Sequence, residues 1–306
     1  MRTAAAATVV LLALFACGGA RPAAEQAAAA APAGFDSARA WEHLRRQVAF
    51  GPRPAGSTAL ADCRRYLIDQ LEAIGIEARE QPFDVDTPLG RIKMANVVAT
   101  IPGARPERIA IASHYDTKLY REFRFVGADD GGSSTAVLLE LARVLRTRRN
   151  ALMIELLFFD GEEATRPDWA GSDNTYGSRH YVGAAQKAGT LNSLKALILL
   201  DMVGDRQLNF RRESRSTPWL TDALWSAASK LGYGAYFLRE EGPIEDDHVP
   251  FLQAGVPSVD LIDLEYAAWH SAGDTLDAVS ARSLQITGDV VLEALPQIEK
   301  RLSSAR

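Results

Sequence analysis

The stretch LMIELLFFDGEEA, residues 152–164, decides the fold class of this chain. It begins as an apolar run of strand length and ends in an aspartate, a glycine and two adjacent glutamates. A short run that is apolar on both faces is typical of a strand buried inside a parallel sheet. Carboxylates beside a core are costly unless their charge is compensated, and a metal ion is one group that compensates it. The stretch therefore predicts a buried strand that ends at a charged site.

Short apolar runs alternate with helical stretches on both sides of this strand. They read, in chain order, RIAIASHYD (108–116), GSSTAVLLELARVLRT (132–147), GSRHYVGAAQKAG (177–189) and LKALILLDMVGD (194–205). Two loosely alternating runs, 77–85 and 91–101, come earlier and predict an antiparallel pair at a sheet edge. The pattern predicts an α/β fold, a three-layer α/β/α sandwich around a mixed, mostly parallel central sheet.

Composition bounds the class of protein. The chain has 306 residues, 47% hydrophobic and 24% charged, with a net charge of -5. No nucleic-acid partner is expected, because phosphate binding needs clustered basic residues. No linker, repeat or change in composition interrupts residues 35–306, so they are interpreted as a single domain. Cys63 lies in a stretch of helical periodicity, which favours a buried small side chain without a disulfide.

The N-terminal segment predicts export and a lipid anchor. One arginine precedes an apolar run that is too short to span a bilayer, and small residues follow around Cys17. The four residues LFAC (14–17) resemble a bacterial lipobox, in which cleavage leaves the cysteine to carry the lipid; a plain signal peptide cut further on is the alternative. Residues 1–16 are thus interpreted as a signal peptide, and 17–34 as lipidated Cys17 with an Ala/Pro/Gly-rich tether. The domain is expected on the cell envelope, facing the periplasm or the exterior.

Histidine and acidic residues come at the ends of the predicted strands. In an open α/β sheet, ligands bind at the carboxyl ends of the strands, where several loops converge. Imidazole and carboxylate ligands suit zinc. The candidate ligands are His114, Asp130, Glu163, Asp201 and His270. Each has a simpler explanation by itself, such as a helix cap or a solvated turn, but their joint appearance at successive strand ends favours a metal site.

The two adjacent glutamates, Glu162 and Glu163, invite different functions. Neighbouring side chains after a strand point in different directions. One can bind the metal while the other stands beside it as a general base, and the spacing leaves open which does which.

Seven segments of the chain carry a family resemblance. They are SHYD, FVGADDGGSSTAVLLELAR, LLFFDGEEA, WAGSDNTYGSRHY, LLDMVGD, DDHVPFLQAGVP and WHSAGDTLD. In this order they resemble the glutaminyl-peptide cyclotransferases, zinc enzymes of the same clan as the bacterial zinc aminopeptidases. The likeness covers essentially the whole domain, and it implies a mixed, twisted sheet flanked by helices.

The resemblance also implies roles for individual residues. The implied zinc ligands are Asp130, Glu163 and His270, and the implied general acid/base is Glu162. The implied hydrogen-bonded acid pair beside it is Asp201 and Asp246, and the implied substrate-binding residues are Trp169, Trp269, Asp260 and Tyr266. Asp260 stands where the animal enzymes have a histidine, and in this it resembles the bacterial branch. A cis peptide bond between Asp130 and Gly131 is implied as well.

The implied activity is zinc-dependent conversion of the N-terminal glutamine of a peptide or protein to pyroglutamate, with release of ammonia. A zinc aminopeptidase is the alternative: His114 and Asp201 would complete a second zinc site, and Glu162 would activate water. The tryptophan before His270 and the doubled aspartate of DDH favour the cyclase with one zinc. A non-catalytic, lipid-anchored binding protein would have lost a ligand or the acid/base, and the sequence retains them all.

Overall fold

Two sheets are present in the computed structural model of this protein, which describes Met1, residues 34–169 and residues 171–304. The strands are β1 (Ala78–Thr87), β2 (Gly90–Ile101), β3 (Arg105–His114), β4 (Leu152–Phe159), β5 (Leu194–Asp201), β6 (Phe210–Glu213), β7 (Phe237–Gly242) and β8 (Ser258–Ile262). The central sheet has the order β1-β2-β4-β3-β5-β8. Pairing is antiparallel from β1 to β2 and from β2 to β4, and parallel across β4, β3, β5 and β8. The predicted mixed, mostly parallel sheet is confirmed.

Helices cover both faces of the central sheet. They are α1 (Ser37–Ala49), α2 (Thr58–Ala73), α3 (Gly132–Thr147), α4 (Tyr176–Lys187), α5 (Pro218–Lys230), α6 (His248–Gln253) and α7 (Ala281–Ser304). Ile154, Leu156 and Phe158 of β4 pack on one face with α1, α2, α3, α5 and α7. Leu157 and Phe159 pack on the other face with α4 and α6. Because alternate side chains of one strand enter two separate cores, the predicted α/β/α sandwich is confirmed.

Local sequence signals explain where the first two helices begin. Asp36 accepts hydrogen bonds from the backbone N–H groups of Ala38 and Arg39 at the start of α1. Ser57 accepts one from the N–H of Leu60 at the start of α2. Such caps satisfy donors that have no partner inside the helix. The predicted antiparallel edge pair, β1 and β2, is confirmed, whereas the sequence did not predict the short pair β6 and β7.

The N-terminal predictions lie outside the described residues. The signal peptide, Cys17 and nearly all of the tether fall in residues 2–33. Within residues 34–169 and 171–304, none of the helices has the length and apolar character that a membrane span requires. Cys63 is buried in α2 as a free thiol, as its helical periodicity predicted.

Candidate active site

The carboxyl ends of the parallel strands bring the predicted site residues to one edge of the sheet. His114 is the last residue of β3 and Asp201 the last residue of β5. Glu162 and Glu163 follow β4, and His270 follows β8. The sixth residue is Asp130, two residues before α3. A parallel sheet aligns its strand ends, so residues that are far apart in sequence become neighbours.

A glycine permits the close approach of the loop that carries Asp130. Gly131 has φ of 77°, in the left-handed region that glycine adopts without strain. A Cβ at this position would lie 2.6 Å from the carbonyl oxygen of Asp116 and 2.9 Å from Cε1 of His114. The bond between Asp130 and Gly131 is trans, so the cis bond implied by the resemblance is wrong. The loop still brings the Asp130 carboxylate between two histidines.

The three implied zinc ligands form one group. Single ligand atoms of Asp130, Glu163 and His270 lie within 4.8 Å of one another. Nε2 of His270 is 3.2 Å from Oε1 of Glu163 and 3.3 Å from Oδ2 of Asp130. Asp130 and Glu163 are buried, and among the described residues Oδ2 of the first and Oε2 of the second have no hydrogen-bond partner. Oε2 of Glu163 also lies 3.5 Å from Nζ of the buried Lys118. Buried carboxylate oxygens that lack hydrogen bonds and lie beside an imidazole fit a zinc ion.

A second group shares Asp130. Nε2 of His114 is 3.1 Å from Oδ1 of Asp201 and 3.3 Å from Oδ1 of Asp130. Ligand atoms of these three residues also lie within 4.8 Å of one another. The donor set therefore fits one ion in the first group, and equally fits a pair of ions bridged by Asp130.

The carboxylates of both groups create a negative potential that raises the pKa values of the two histidines. Burial lowers the pKa of His270, but the carboxylates of Asp130 and Glu163 outweigh this and raise it to about 9. Burial also lowers the pKa of His114, and carboxylates led by Asp201 raise it well above its ordinary value. A divalent cation is favoured by the same carboxylates and takes the nitrogen lone pairs that protons would otherwise occupy.

Two further aspartates hold the backbone of the site. The carboxylate oxygens of Asp116 accept hydrogen bonds from the N–H of Glu162 at 3.1 Å and of Glu163 at 3.3 Å. Asp274 accepts from the N–H of Asp129 at 2.7 Å and of Asp130 at 3.2 Å. Sequence reasoning missed both supports. Their signal was present, since SHYD and WHSAGD contain them, but their partners are backbone groups that side-chain patterns do not show.

Glu162 stands beside the ligands in a buried position. Its Oε2 is 3.8 Å from Nδ1 of His114. Burial raises the pKa of Glu162 well above its ordinary value, His114 opposes this, and the negative charges of Asp246 and Glu163 raise it further. A raised pKa brings the carboxyl nearer to neutral pH, which favours both the uptake and the release of a proton by a general acid/base.

A cavity of about 420 Å³ opens over these side chains. Its lining includes Glu162, Glu163, Asp201, Asp246 and His270, with apolar walls from Met202, Ile244, Ile262 and Leu264. Trp169 and Trp269 also line it and are 36% and 54% exposed. Trp269 stacks on the His270 ring at 4.2 Å between centroids. A larger open cleft beside β1, about 690 Å³, contains none of the candidate ligands and is not the site.

Two of the implied substrate-binding residues lie behind the cavity wall, which corrects their implied placement. The hydroxyl of Tyr266 donates to Oδ1 of Asp274 at 2.7 Å, so it braces the loop of Asp130. Asp260 is fully buried in β8, facing His248 at 3.5 Å. Neither is among the residues that line the cavity. Tyr266 is held away by its hydrogen bond to Asp274, and Asp260 is enclosed in β8 beside His248.

Comparison with known proteins agrees with this geometry. A model of Peptidase family M28 matches residues 96–295. The chain belongs to peptidase family M28. It is 32% identical to a glutaminyl-peptide cyclotransferase-like protein of Mus musculus, covering 79% of this chain and 70% of that one. It is 28% identical to a glutaminyl-peptide cyclotransferase of Drosophila melanogaster, covering 78% of this chain and 75% of that one.

Solved structures of this M28 fold include both enzyme classes considered above. A glutaminyl cyclase from an Acidobacteriales bacterium superposes with a TM-score of 0.84 at 38% identity, covering 91% of this chain and 100% of that one. A leucine aminopeptidase precursor from Bacteroides thetaiotaomicron superposes with a TM-score of 0.79 at 29% sequence identity, covering 87% of this chain and 98% of that one. The family resemblance carried by the seven segments is confirmed.

Proposed function

We propose that this M28 protein is a zinc-dependent glutaminyl-peptide cyclotransferase. It converts the N-terminal glutamine of peptides or proteins to pyroglutamate and releases ammonia. One observation carries the proposal: Glu162 stands outside the Asp130, Glu163 and His270 group but lines the same cavity, together with Trp169 and Trp269. That arrangement supports a metal site, an acid/base beside it and a pocket for a small side chain.

The chemistry follows from the positions of these residues. Asp130, Glu163 and His270 would hold the zinc, which when bound supplies a Lewis acid that polarises the side-chain amide carbonyl. The α-amine nitrogen forms a bond to the amide carbon, and the bond from that carbon to the departing nitrogen breaks. Glu162 takes the proton that the amine loses and gives it to the departing nitrogen, so ammonia leaves and no net proton is consumed.

Neighbouring residues support these proton transfers. Asp201 and Asp246 line the same cavity as Glu162, and burial together with the negative charge of Asp246 raises the pKa of Glu162, which makes it a stronger base. Trp169 and Trp269 provide apolar surface against the substrate and exclude water, which would otherwise compete with the amine. The apolar wall at Met202 and Ile262 continues this dry surface.

The aminopeptidase remains a second candidate, because the His114, Asp130 and Asp201 group is complete. A solved leucine aminopeptidase precursor also shares the fold. In that reaction Glu162 would activate water instead of the substrate amine. The two candidates therefore differ in the nucleophile, and the products distinguish them.

The location of the protein is part of the same proposal. The sequence supports a signal peptide at residues 1–16, a lipid on Cys17 and a tether up to residue 34. Such a signal and anchor would place the catalytic domain, residues 35–306, outside the cytoplasmic membrane.

Mass spectrometry of a peptide that begins with glutamine tests the function. Loss of one ammonia from the intact peptide is expected, with the activity abolished by a zinc chelator and restored by added zinc. The matched control is the same peptide with an acetylated α-amine, which cannot cyclise. Release of a free N-terminal amino acid would instead identify the aminopeptidase.

A further inference from the structure

Behind the cavity wall, four buried polar side chains form a row that ends at the candidate site. They are Glu213 at the end of β6, His248 at the start of α6, Asp260 in β8 and Asp246 just before α6. Each is at most 3% exposed. Asp246 also lines the cavity beside Glu162, so the row connects a distant strand to the acid/base.

The contacts along this row are specific. Nε2 of His248 is 3.1 Å from Oε2 of Glu213, and Nδ1 of His248 is 3.5 Å from Oδ2 of Asp260. Ligand-type atoms of Asp246, His248 and Asp260 lie within 4.8 Å of one another. The backbone N–H of Asp260 donates to Oγ of Ser216, and that hydroxyl donates to Glu213. The imidazole therefore lies between two carboxyl groups, hydrogen-bonded to Glu213 and 3.5 Å from Asp260.

Glu213 is a fixed anion at the far end of the row. It accepts hydrogen bonds from the backbone N–H groups of Arg215 at 2.9 Å and Ile244 at 3.3 Å. Burial raises its pKa, but hydrogen bonds from His248, the N–H of Arg215 and the hydroxyl of Ser216 outweigh burial and lower it to about 2. A carboxylate facing Nε2 fixes the proton of a neutral imidazole on that nitrogen and sets the ring orientation.

Asp260 needs a partner that His248 can provide. Among the described residues, neither carboxyl oxygen of Asp260 has a hydrogen-bond partner, and the side chain is fully buried. An unpaired buried carboxyl is strongly unfavourable. A nearby imidazole that can pair with it therefore has a large effect on the orientation of the carboxyl group. Two carboxyls as close as Asp246 and Asp260 are best accommodated when they share a proton.

We propose that Glu213 and His248 are positioning residues for the cyclisation: they hold Asp260, and through it Asp246, in the orientation that Glu162 requires. This inference rests on the proposed function. Neither residue reaches the cavity, so both act on the reaction through Asp246. Substrate binding by the tryptophan walls and zinc binding by Asp130, Glu163 and His270 do not depend on them.

The variants Glu213→Gln and His248→Gln test this role. We expect kcat to fall about 10-fold, the low end for outer residues that orient a reacting group, with KM and bound zinc unchanged within about twofold. Glu299→Gln is the matched control, since Glu299 is a buried glutamate paired with Arg148 at 2.6 Å and does not line the cavity. Its kcat should equal that of the unmutated protein.

A double variant tests whether the row acts as a unit. The loss of kcat in Glu213→Gln combined with Asp260→Asn should be smaller than the product of the two single losses, because both act through Asp246. Multiplicative losses, or a normal kcat in both Glu213→Gln and His248→Gln, would overturn the inference.

Nitrogen-15 NMR of the unmutated zinc-loaded protein gives a result even if the variants do not fold. The expected signature for His248 is a protonated Nε2 that donates a hydrogen bond. A bare Nε2 would refute the arrangement. Failure of the unmutated protein to cyclise glutamine would overturn the proposed function, whereas normal cyclisation together with a bare Nε2 would overturn this inference only.

Discussion

At the scale of single residues, the structure separates the adjacent glutamates. Asp116 accepts hydrogen bonds from the N–H groups of both, which fixes their backbone. Glu163 then points to His270, with 3.2 Å between Oε1 and Nε2. Glu162 lies nearer to His114 and Asp246. Two residues of identical chemistry thus enter different surroundings, which supports the different roles proposed for them.

Glu162→Gln and Glu163→Gln should lose activity for different reasons. Both should lower kcat/KM, Glu162→Gln by roughly 10²- to 10⁴-fold, the usual contribution of a general acid/base. Glu162→Gln should keep its zinc, because the Asp130, Glu163 and His270 group stays complete. Glu163→Gln should lose much of its zinc, because an amide oxygen is a weaker ligand than a carboxylate.

Metal analysis beside the cyclisation assay measures this difference. Thermal unfolding of both variants serves as the control for folding. Normal zinc content in Glu163→Gln together with zinc loss in Glu162→Gln would reverse the two assignments.

At the scale of elements, the contact between α1 and α2 contains a titratable pair. Nδ1 of His43 lies 2.8 Å from the hydroxyl of Tyr66. Burial, with a further contribution from the charge of Arg39, lowers the pKa of His43 from 6.5 to about 4. The unfolded chain therefore binds more protons than the folded one between these values. The stability that depends on a neutral His43 is complete above pH 6.5 and is lost as the pH falls through 4.

His43→Gln should remove this dependence. The free energy of unfolding of the unmutated protein, minus that of the variant, should fall by about 2 kcal/mol from pH 7 to pH 4.5. Denaturant titrations of both proteins at both pH values measure it. The carboxylates and zinc ligands titrate in both proteins, so their contribution to the pH dependence cancels in the difference between the two free energies of unfolding. A difference that stays constant with pH would show that His43 titrates normally in the folded protein.

At the scale of the whole molecule, zinc should contribute to stability. The site gathers carboxylates from loops after separate strands, and burial of their negative charge opposes folding. An ion that binds only the folded chain offsets this, by about 2.7 kcal/mol at a free concentration one hundred times Kd. For a domain of this size Tm should then rise by roughly 5–10 °C.

Differential scanning calorimetry with added zinc and with chelator measures this shift. The Glu163→Gln variant is the control, and its shift should be much smaller. Equal Tm values for the unmutated protein in zinc and in chelator would contradict a zinc site in this fold.

The layers of the fold and the edge where the site lies could be predicted from local sequence patterns. The run LMIELLFF is apolar at every position except Glu155, and β4 is buried on both faces. Such patterns are local, because side-chain alternation and helix caps depend on residues a few positions apart. The candidate ligands could be predicted for the same reason: parallel strands end at a common edge.

The directions of the loop side chains depend on contacts that form only when the chain folds. Tyr266 turns to Asp274 and away from the cavity, and Asp260 turns to His248. Glu213 and His248 meet across 35 positions, and β6, which carries Glu213, has too weak a pattern of its own to be predicted. The direction of a buried polar side chain is set by whichever distant group satisfies its hydrogen bonds, and the spacing of residues along the chain does not contain that information.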